Sequence, residues 1–442
     1  MKGFGQKDKF KIKKIIKSNN KLSKQETIQR ALKLHSKGKI KEAAIYYQYF
    51  INQGFQDGNV FSNYGVILRN LKKFKEAEKY LRKAIEVAPK FAMAYSNLGN
   101  TLYDLGKLKE AEKFLRKAID IDPYYVMSYS NLSNVLKDLG KIKEAEKILI
   151  KALEIKPGDK IIEANLINLL TLFKPEKVKL NNLFKINEEF KIINISTRKD
   201  NDISDERVKG IYMHGLHIYK KYNLNLVTPF SQIYKKNEKN LNCKRHMLIF
   251  NEHKIIPEFC FECYKVQVEV NSVIELIKLF LVFNSFKFQN TRKCMVETRK
   301  DVSGFYKGLI YCSGLKEALK ISEEINIEIK KNIRTDLKSN IKRGCSEYAL
   351  EFPKYKAISL SGNQPMDYNK DWSKIEKEFD KNNFEWGKST PNIEGFNLNN
   401  FLVMRNWLAY AKKIGDRSVI KITNEEIRGS QEINNLNRNF NF

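Results

Sequence analysis

The sequence predicts a helical solenoid followed by an α/β domain. The first observation behind this fold class is a set of prolines at Pro89, Pro123 and Pro157, which recur every 34 residues, each five positions after an alanine. Such a period is typical of helix-turn-helix units that stack on one another. The second observation is that, from residue 264 onward, strand-like segments, in which polar and apolar residues alternate, are followed by segments of helical periodicity. This succession indicates an α/β domain.

Large and small residues hold fixed places in each repeat. The first helices carry Leu68, Leu102 and Leu136, which are expected to face Leu81, Leu115 and Leu149 on the second helices. Small residues at the equivalent positions 65, 99 and 133 let the paired helices approach closely. Each unit then has one apolar seam that only a neighbouring unit can bury. Gly106 and Gly140 are placed to end first helices in the left-handed conformation.

On these residues, the segment from 24 to 159 resembles the tetratricopeptide repeat. Four units fit, at 24–57, 58–91, 92–125 and 126–159, and a closing helix is expected over 160–173, so that the solenoid spans 24–173. In the first unit Phe50 replaces a small residue and Phe55 replaces the proline, as a terminal repeat often does. The resemblance implies paired helices and a role in protein–protein interaction.

Asparagines recur on the first helices of the repeats. Asn63, Asn97 and Asn131 occupy equivalent positions, and Asn100 and Asn134 lie one helical turn further on. An amide offers both donors and an acceptor, so this ladder could bind the backbone of an extended peptide. It resembles the ladder in the peptide-binding superhelix of the O-linked N-acetylglucosamine transferases, whose sugar-transferring half is not recognisable here. The alternative is that these amides bond the adjoining repeat and hold the stack together.

The chain is strongly basic, with a formal net charge of +30 and its densest basic run in an N-terminal arm at 1–23. An excess of this kind attracts polyanions, which makes nucleic acid an alternative partner. The codon usage of an AT-rich genome is the competing explanation for so much lysine. We find neither a secretory signal nor an apolar run of membrane-spanning length, and we expect a cytoplasmic protein whose cysteines are thiols or metal ligands.

The cysteines lie within the domain expected at 206–360, which follows a linker at 174–205. Cys243 and His246 are three residues apart, as are Cys260 and Cys263, and two such pairs can each hold one side of a tetrahedral ion. Because thiolates and imidazoles suit zinc, a structural zinc held by these four residues is one prediction.

Two other interpretations of the cysteines stay open. They can be inert thiols packed in the core. Alternatively, one of them is reactive, and Cys345 is then the best candidate because Lys342 and Arg343 are adjacent to it.

The α/β domain shows patterns in the order strand, helix, strand, strand, helix, strand. The strands are predicted at 264–270, at 293–298, over FYKGLIYC and over IEIKKNI, with helices over 271–286 and over LKEALKISEEIN. This order predicts a ferredoxin-like (βαββαβ) or other α/β domain. It also belongs to RNA-recognition domains, in which Tyr264, Tyr306 and Tyr311 could stack on bases. A helical tail with a disordered end is expected over 361–442.

The function predicted first is an interaction scaffold, in which the repeats bind an extended peptide or a partner helix and the α/β domain has an unknown activity. One alternative is nucleic-acid binding through the basic arm and the sheet, and another is an enzyme whose substrate the repeats recruit. The sequence contains no complete set of nucleophile, base and stabiliser and no phosphate-binding loop. Catalytic residues therefore cannot be assigned, and the question of enzymatic activity stays open.

Overall fold

A computed structural model describes residues 22–423, apart from gaps at 177–180, 196–202, 224, 238–240, 287–288, 300–303, 361–362, 382–386 and 388. The basic arm, except for its last two residues, and the chain end after residue 423, for which the sequence predicts disorder, lie outside the described residues. The contacts within the chain define two compact units. The first comprises Met1–Pro157 with Asn383–Trp386, and the second comprises Gly158–Asn382 with Gly387–Phe442.

In its described part, the first unit consists of four consecutive helix pairs, in agreement with the four predicted repeats. The pairs are α1 (Lys24–Ser36) with α2 (Ile40–Asn52), α3 (Gly58–Asn70) with α4 (Phe74–Val87), α5 (Ala92–Asp104) with α6 (Leu108–Ile121), and α7 (Val126–Asp138) with α8 (Ile142–Ile155). Within a pair, and between one pair and the next, successive helices pack against each other.

The predicted apolar seam is confirmed. The three leucines of the first helices and the three of the second helices are at most 3% exposed. The glycines before them are required for close approach: a Cβ atom at Gly65 would lie 2.6 Å from Cγ of Leu81, and one at Gly99 would lie 2.5 Å from Cγ of Leu115. These helices therefore touch through the backbone of one and the leucine of the other.

The turn inside each pair needs one residue in the left-handed conformation. Glycine supplies it at Gly38, Gly106 and Gly140, with φ of 70°, 78° and 77°, and the prediction for the last two is confirmed. In the second pair the same position is Lys72, with φ of 61°. A side chain in this conformation is strained because its Cβ atom crowds the backbone carbonyl.

Lys72→Gly should therefore stabilise the first unit. Relief of the left-handed strain exceeds the entropy cost of a glycine, and we expect a gain of about 1 kcal/mol in local stability. Amide hydrogen exchange in α3 and α4 should slow roughly fivefold. The matched reverse change, Gly106→Lys, should accelerate exchange in α5 and α6. A Lys72→Gly variant that exchanges faster than the wild type would contradict this account.

The first helices form the inner side of the solenoid. α3 packs against α5, and α5 packs against α7. By contrast, the backbones of the described second helices in successive pairs seldom come close to each other. Long charged side chains join the second helices instead. Arg82 on α4 contacts Glu110 on α6 at 2.6 Å, and Lys107 contacts Glu78 at 2.9 Å. The same pattern returns 34 residues later, where Arg116 and Lys141 contact Glu144 and Glu112.

These outer ion pairs make the solenoid sensitive to acid. Burial acts to raise the pKa of Glu78, but hydrogen bonds from Arg82 and Lys107 outweigh it and lower that pKa below its ordinary 4.5. The pKa of Glu112 is lowered in the same way. A carboxylate with a folded pKa below its unfolded value stabilises the fold above the unfolded value, and that stabilisation is lost as the pH falls through the folded pKa.

We therefore expect the double variant Glu78→Gln, Glu112→Gln to be less stable than the wild type at pH 7, by about 1 kcal/mol of unfolding free energy per site. When the pH is lowered from 5 to 3, the unfolding free energy of the variant should fall less than that of the wild type. Hydrogen exchange in α4 and α6, corrected for its intrinsic pH dependence, measures this difference. Glu86→Gln, which alters an exposed carboxylate on α4, is the control and should behave as the wild type. Parallel pH profiles for the double variant and the wild type would refute the argument.

The second unit combines helices with one five-stranded sheet. Its described elements are α9 (Lys160–Leu169), α10 (Asn182–Lys191), α11 (Asp205–Lys221), β1 (Gln232–Lys235), α12 (Cys243–His253), α13 (Glu258–Phe261), β2 (Cys263–Val270), α14 (Val273–Ser285), β3 (Arg292–Val296), β4 (Tyr306–Ser313), α15 (Leu315–Asn332), β5 (Ser339–Arg343), α16 (Trp372–Lys381) and α17 (Leu398–Lys413), with short 3-10 helices at Glu347–Leu350, Pro353–Lys356 and Arg417–Lys421.

The sheet has the strand order β1-β3-β4-β2-β5, and every neighbouring pair is antiparallel. One face is covered by helices: α14 packs on β3 and β4, α15 on β2, β4 and β5, and α17 on β1 and β3. A Cβ atom at Gly308 of β4 would lie 2.6 Å from Leu279 of α14, which identifies the covered face. On β2 this face carries Tyr264 and the valines, and the opposite face carries Cys263, Lys265, Gln267 and Glu269.

Three segments of the second unit differ from the expectation. The fourth strand over IEIKKNI is wrong, because these residues continue α15 with Ile325 and Ile329 buried at helical spacing; the strand is β5 instead. The expected linker contains α10, whose Phe190 packs on Phe401. The segment expected to close the solenoid forms α9, which belongs to the second unit and packs on α17.

Candidate functional site

Inner-helix asparagines link successive repeats. Asn97 donates from Nδ2 to Oγ of Ser62 at 3.1 Å, and Asn131 donates to Oγ of Ser96 at 3.2 Å, in each case to the preceding pair. Burial raises the pKa of the Tyr47 hydroxyl in the first pair, and Asn63 acts to lower it. Asn97 and Asn131 therefore each have a donor engaged in holding the stack, as the second of the two interpretations of the ladder describes.

The other two asparagines are less engaged. Among the described residues, the side chain of Asn100 forms no hydrogen bond, and it is half-buried. Asn134 donates to the Ser130 carbonyl at 3.3 Å and accepts from Lys137 at 3.4 Å. Their amides thus have remaining capacity for a ligand, most clearly in Asn100.

Two methionines, which the sequence analysis did not identify, share this surface. Met93 is 41% exposed and Met127 is 37% exposed. Four residues after each methionine comes an asparagine that links repeats, and seven residues after it comes an asparagine that can still bind a ligand. At this spacing the methionine and both amides lie on one face of the helix. We call this surface, formed by Met93, Asn97, Asn100, Met127, Asn131 and Asn134, the inner groove. The 34-residue period could have revealed the methionines, because they are equivalent residues of successive units.

Charges beside the inner groove are neutralised within the stack. Arg69 on α3 pairs with Asp104 on α5 at 2.5 Å, and the Tyr103 hydroxyl donates to Asp138 on α7 at 2.7 Å. Burial, with Asp138 and Asp104 nearby, raises the pKa of Tyr103 well above its ordinary value, which keeps this hydroxyl protonated as a donor. The groove therefore presents amides and thioethers rather than a cluster of cations for a carboxylate.

The two roles of the asparagines predict different effects on stability. Asn97→Ala leaves Ser62 without its donor and should cost about 1 kcal/mol, and Asn131→Ala should cost the same. Asn100→Ala breaks no described bond and should leave stability within about 0.5 kcal/mol of the wild type. Hydrogen exchange in α3, α5 and α7 would measure both effects. Equal destabilisation by Asn97→Ala and Asn100→Ala would show that the assigned hydrogen bonds do not explain the ladder.

The four candidate metal ligands occupy α12, α13 and the first residue of β2. Cys243 is exposed at the start of α12. Cys260 is buried in α13, and Cys263 is buried at the first residue of β2. His246 is 3% exposed, and its ring stacks on Phe259 with centroids 5.1 Å apart. Throughout the described ranges, no group of three or more His, Cys, Asp or Glu residues is arranged to hold a metal ion. The zinc stays a prediction of the sequence.

Cys345 joins this group, although it is far from the others in sequence. It packs on the apolar cluster that contains Cys260. The Cys243 and Cys260 thiols act to hold the pKa of Cys345 well below its ordinary value, against the effect of burial, and the Lys265 ammonium acts in the same direction. The cations expected from the sequence have other roles: Lys342 pairs with Glu269 at 3.7 Å, and Arg343 is buried against Tyr264.

A buried ion pair fixes α12, which carries Cys243 and His246. Arg245 is 5% exposed and binds Asp380 of α16 through two hydrogen bonds of 2.7 Å. Its third contact is Glu376 at 3.0 Å, and Glu376 also accepts from the Glu258 backbone N–H and the Tyr368 hydroxyl, each at 2.9 Å. Removing one partner of such a set leaves an uncompensated buried charge, so the set fixes α12 against α16.

His246 does not supply a positive charge at neutral pH. Burial, with the charge of Arg245 beside it, lowers the pKa of His246 to about 4. The imidazole is therefore neutral above about pH 5. Burial lowers the pKa of Lys265, whose ammonium donates to the Gly344 carbonyl at 3.2 Å, next to Cys345.

The structure does not support base stacking by two of the three candidate tyrosines. Tyr264 and Tyr306 lie on the helix-covered face of the sheet and are 3% and 1% exposed. The Tyr306 hydroxyl donates to Asp416 at 2.8 Å. Tyr311 projects to the other face, alone of the three. The five-residue spacing already places Tyr306 and Tyr311 on opposite faces of one strand, but the sequence did not show which face the helices cover.

The comparisons with known proteins match the first unit. Models of the tetratricopeptide repeat match residues 56–123 and 126–156. These residues therefore form a tetratricopeptide-repeat segment, and the four helix pairs have the architecture expected of it. No curated protein matches the chain.

No helix in the described part of the chain is long and apolar enough to cross a membrane.

Solved structures of several repeat proteins are similar to part of the chain. YrrB, described as a TPR protein with an unusual peptide-binding site, is 23% identical, with a TM-score of 0.30 over 32% of this chain and 72% of its own. The first TPR of Spaghetti (RPAP3) bound to an HSP90 peptide is 22% identical, with a TM-score of 0.25 over 25% and 89%. MamA from Desulfovibrio magneticus RS-1 is 17% identical, with a TM-score of 0.30 over 38% and 85%.

Proposed function

We propose that the first unit binds an extended peptide of a partner protein in the inner groove. The observation that carries this proposal is the repetition, on α5 and α7, of a partly exposed methionine followed four and seven residues later by asparagines. A tetratricopeptide-repeat segment supplies the scaffold on which such a repeated surface follows successive residues of a partner.

The chemistry of the groove defines the kind of peptide. Amides at Asn100 and Asn134 suit the backbone groups of an extended chain, whatever its side chains. The thioethers of Met93 and Met127 are flexible and polarisable, which favours apolar side chains of varied shape. Arg69 is already paired with Asp104, and Lys137 beside Asn134 is a single cation rather than a cluster that would bind an acidic terminus. We infer an uncharged, partly apolar segment, held with micromolar affinity, roughly −8 kcal/mol.

Selection from a displayed library of unstructured peptides on the full-length chain tests the proposal. The affinity of an enriched peptide, measured by fluorescence polarisation, should fall about tenfold in the double variant Asn100→Ala, Asn134→Ala, since each lost hydrogen bond contributes about 0.5–1.5 kcal/mol. Replacing Met93 and Met127 by Ser should weaken the same peptide.

The control for this selection is Lys113→Ala, an exposed residue on the outer helix α6, which should bind as the wild type does. Unchanged affinity in both double variants would reject the inner groove as the binding surface. Failure to enrich any peptide above a selection without protein would reject peptide binding altogether.

We infer in addition that the second unit has a ferredoxin-like core. Its support is the order β3-β4-β2-β5 with antiparallel neighbours, together with α14 between β2 and β3 and α15 between β4 and β5 on one face. β1 then extends the sheet beside β3.

A cytoplasmic location remains our proposal from the thiols, which a reducing compartment preserves.

A further inference from the structure

One face of the sheet in the second unit carries a lysine on each of four neighbouring strands. Residues that are directly opposite each other in the register share a face, so the register assigns the side away from the covering helices. We call this side the lysine face, after Lys293 of β3, Lys307 of β4, Lys265 of β2 and Lys342 of β5. Of the described strand residues on this face, Glu269 alone is acidic.

Two of the four lysines are neutralised by carboxylates. Lys307 pairs with Glu297 at 3.6 Å, and the two side chains are 5% and 3% exposed. Lys342 pairs with Glu269 at 3.7 Å. The positive charges of these two lysines are therefore already balanced within the fold.

The other two lysines have no carboxylate partner among the described residues. Lys265 donates to the Gly344 carbonyl at 3.2 Å, and Lys293 donates to Oε1 of Gln232 and to the Tyr234 hydroxyl, each at 3.1 Å. An ammonium group has three donors, so each of these lysines keeps at least one for a ligand. Both side chains are half-buried, where a cation without an acidic partner is costly.

Tyr311 lies between these two lysines. It is directly opposite Lys265, and Leu309, two residues earlier on the same face, is directly opposite Lys293. Strand spacing and rise per residue then separate the Cα atoms of the two lysines by roughly 12 Å, with Tyr311 between them. The Tyr311 hydroxyl has no hydrogen-bond partner among the described residues. Beneath these half-buried side chains, Leu309 and Gln267 are 7% and 5% exposed and form a floor.

We propose that Lys265, Lys293 and Tyr311 bind the phosphate group of a small phosphorylated molecule. Two ammonium groups that no carboxylate balances favour a dianion, and a phosphate monoester carries a charge of about −1.5 to −2 at pH 7. Lysine binds phosphate as a point charge, and the tyrosine hydroxyl donates to a further phosphate oxygen. A carboxylate, with a single charge, balances only one of the two lysines.

The neutralised lysines explain why the ligand is a small molecule rather than a nucleic acid. A nucleic acid is bound by cations that meet its successive phosphates. On the lysine face the pairs formed by Lys307 and Lys342 confine the unbalanced charge to the surroundings of Tyr311. One phosphate group matches this arrangement.

Isothermal titration of the full-length chain with phenyl phosphate at low salt tests the proposal. Lys265→Gln and Lys293→Gln should each weaken binding about tenfold or more, because each removes a hydrogen bond between charged groups. Tyr311→Phe keeps the ring and should weaken binding about threefold, which tests the site even where a lysine variant unfolds. Dimethyl phosphate, a monoanion, should bind at least about tenfold more weakly than phenyl phosphate.

Lys342→Gln is the matched control, because it removes the same charge from the same face but from a lysine that Glu269 balances. Its affinity for phenyl phosphate should stay within about threefold of the wild type. An equal loss in Lys342→Gln and Lys265→Gln would overturn the proposal, since the attraction would then be diffuse. No binding of phenyl phosphate at millimolar concentration would also overturn it. So would a short RNA without a terminal phosphate that displaces phenyl phosphate at equal phosphate concentration, because the ligand would then be a polymer.

Discussion

A pair of antiparallel helices exposes more apolar surface than it can bury by itself, and the first unit is built on this constraint. The leucine seam of each pair is covered by the next pair. The distance between the two helices of one pair is set by Gly65 and Gly99, whose missing Cβ atoms make room for Leu81 and Leu115. The polar contacts between pairs follow from the stacking of these units. Ser62 meets Asn97, and Ser96 meets Asn131, only because successive first helices lie close together.

The 34-residue period made the first unit predictable because the same contacts recur in each repeat. Its seam and its left-handed turns follow from residue types at fixed intervals. The role of the asparagines did not follow, because the serine that accepts from Asn97 lies 35 residues earlier and becomes its neighbour only after stacking. Nothing in the local sequence separates Asn97, which links repeats, from Asn100, which has capacity for a ligand.

The second unit was harder to predict because its contacts join distant parts of the chain. Ile325, Ile327 and Ile329 alternate as a strand would, yet the first and third are also at helical spacing from each other, and the helix prevails with Ile327 exposed. Spacing grouped Cys260 with Cys263, whereas Cys345, about 85 residues after Cys260, packs on the apolar cluster that contains Cys260. Arg245 likewise depends on Asp380, 135 residues later. Such long-range pairs leave no periodic signal in a single sequence.

The ladder from Asn97 to Ser62 and from Asn131 to Ser96 has a mechanical consequence. The hydrogen bonds that hold neighbouring repeats at their present angle lie in the inner groove, the surface proposed to bind a peptide. If the proposed peptide engages these amides, it shares or replaces bonds that resist bending, and occupancy and curvature are then thermodynamically linked. On that proposal, a force that straightens the solenoid changes its affinity for the peptide by the same coupling free energy.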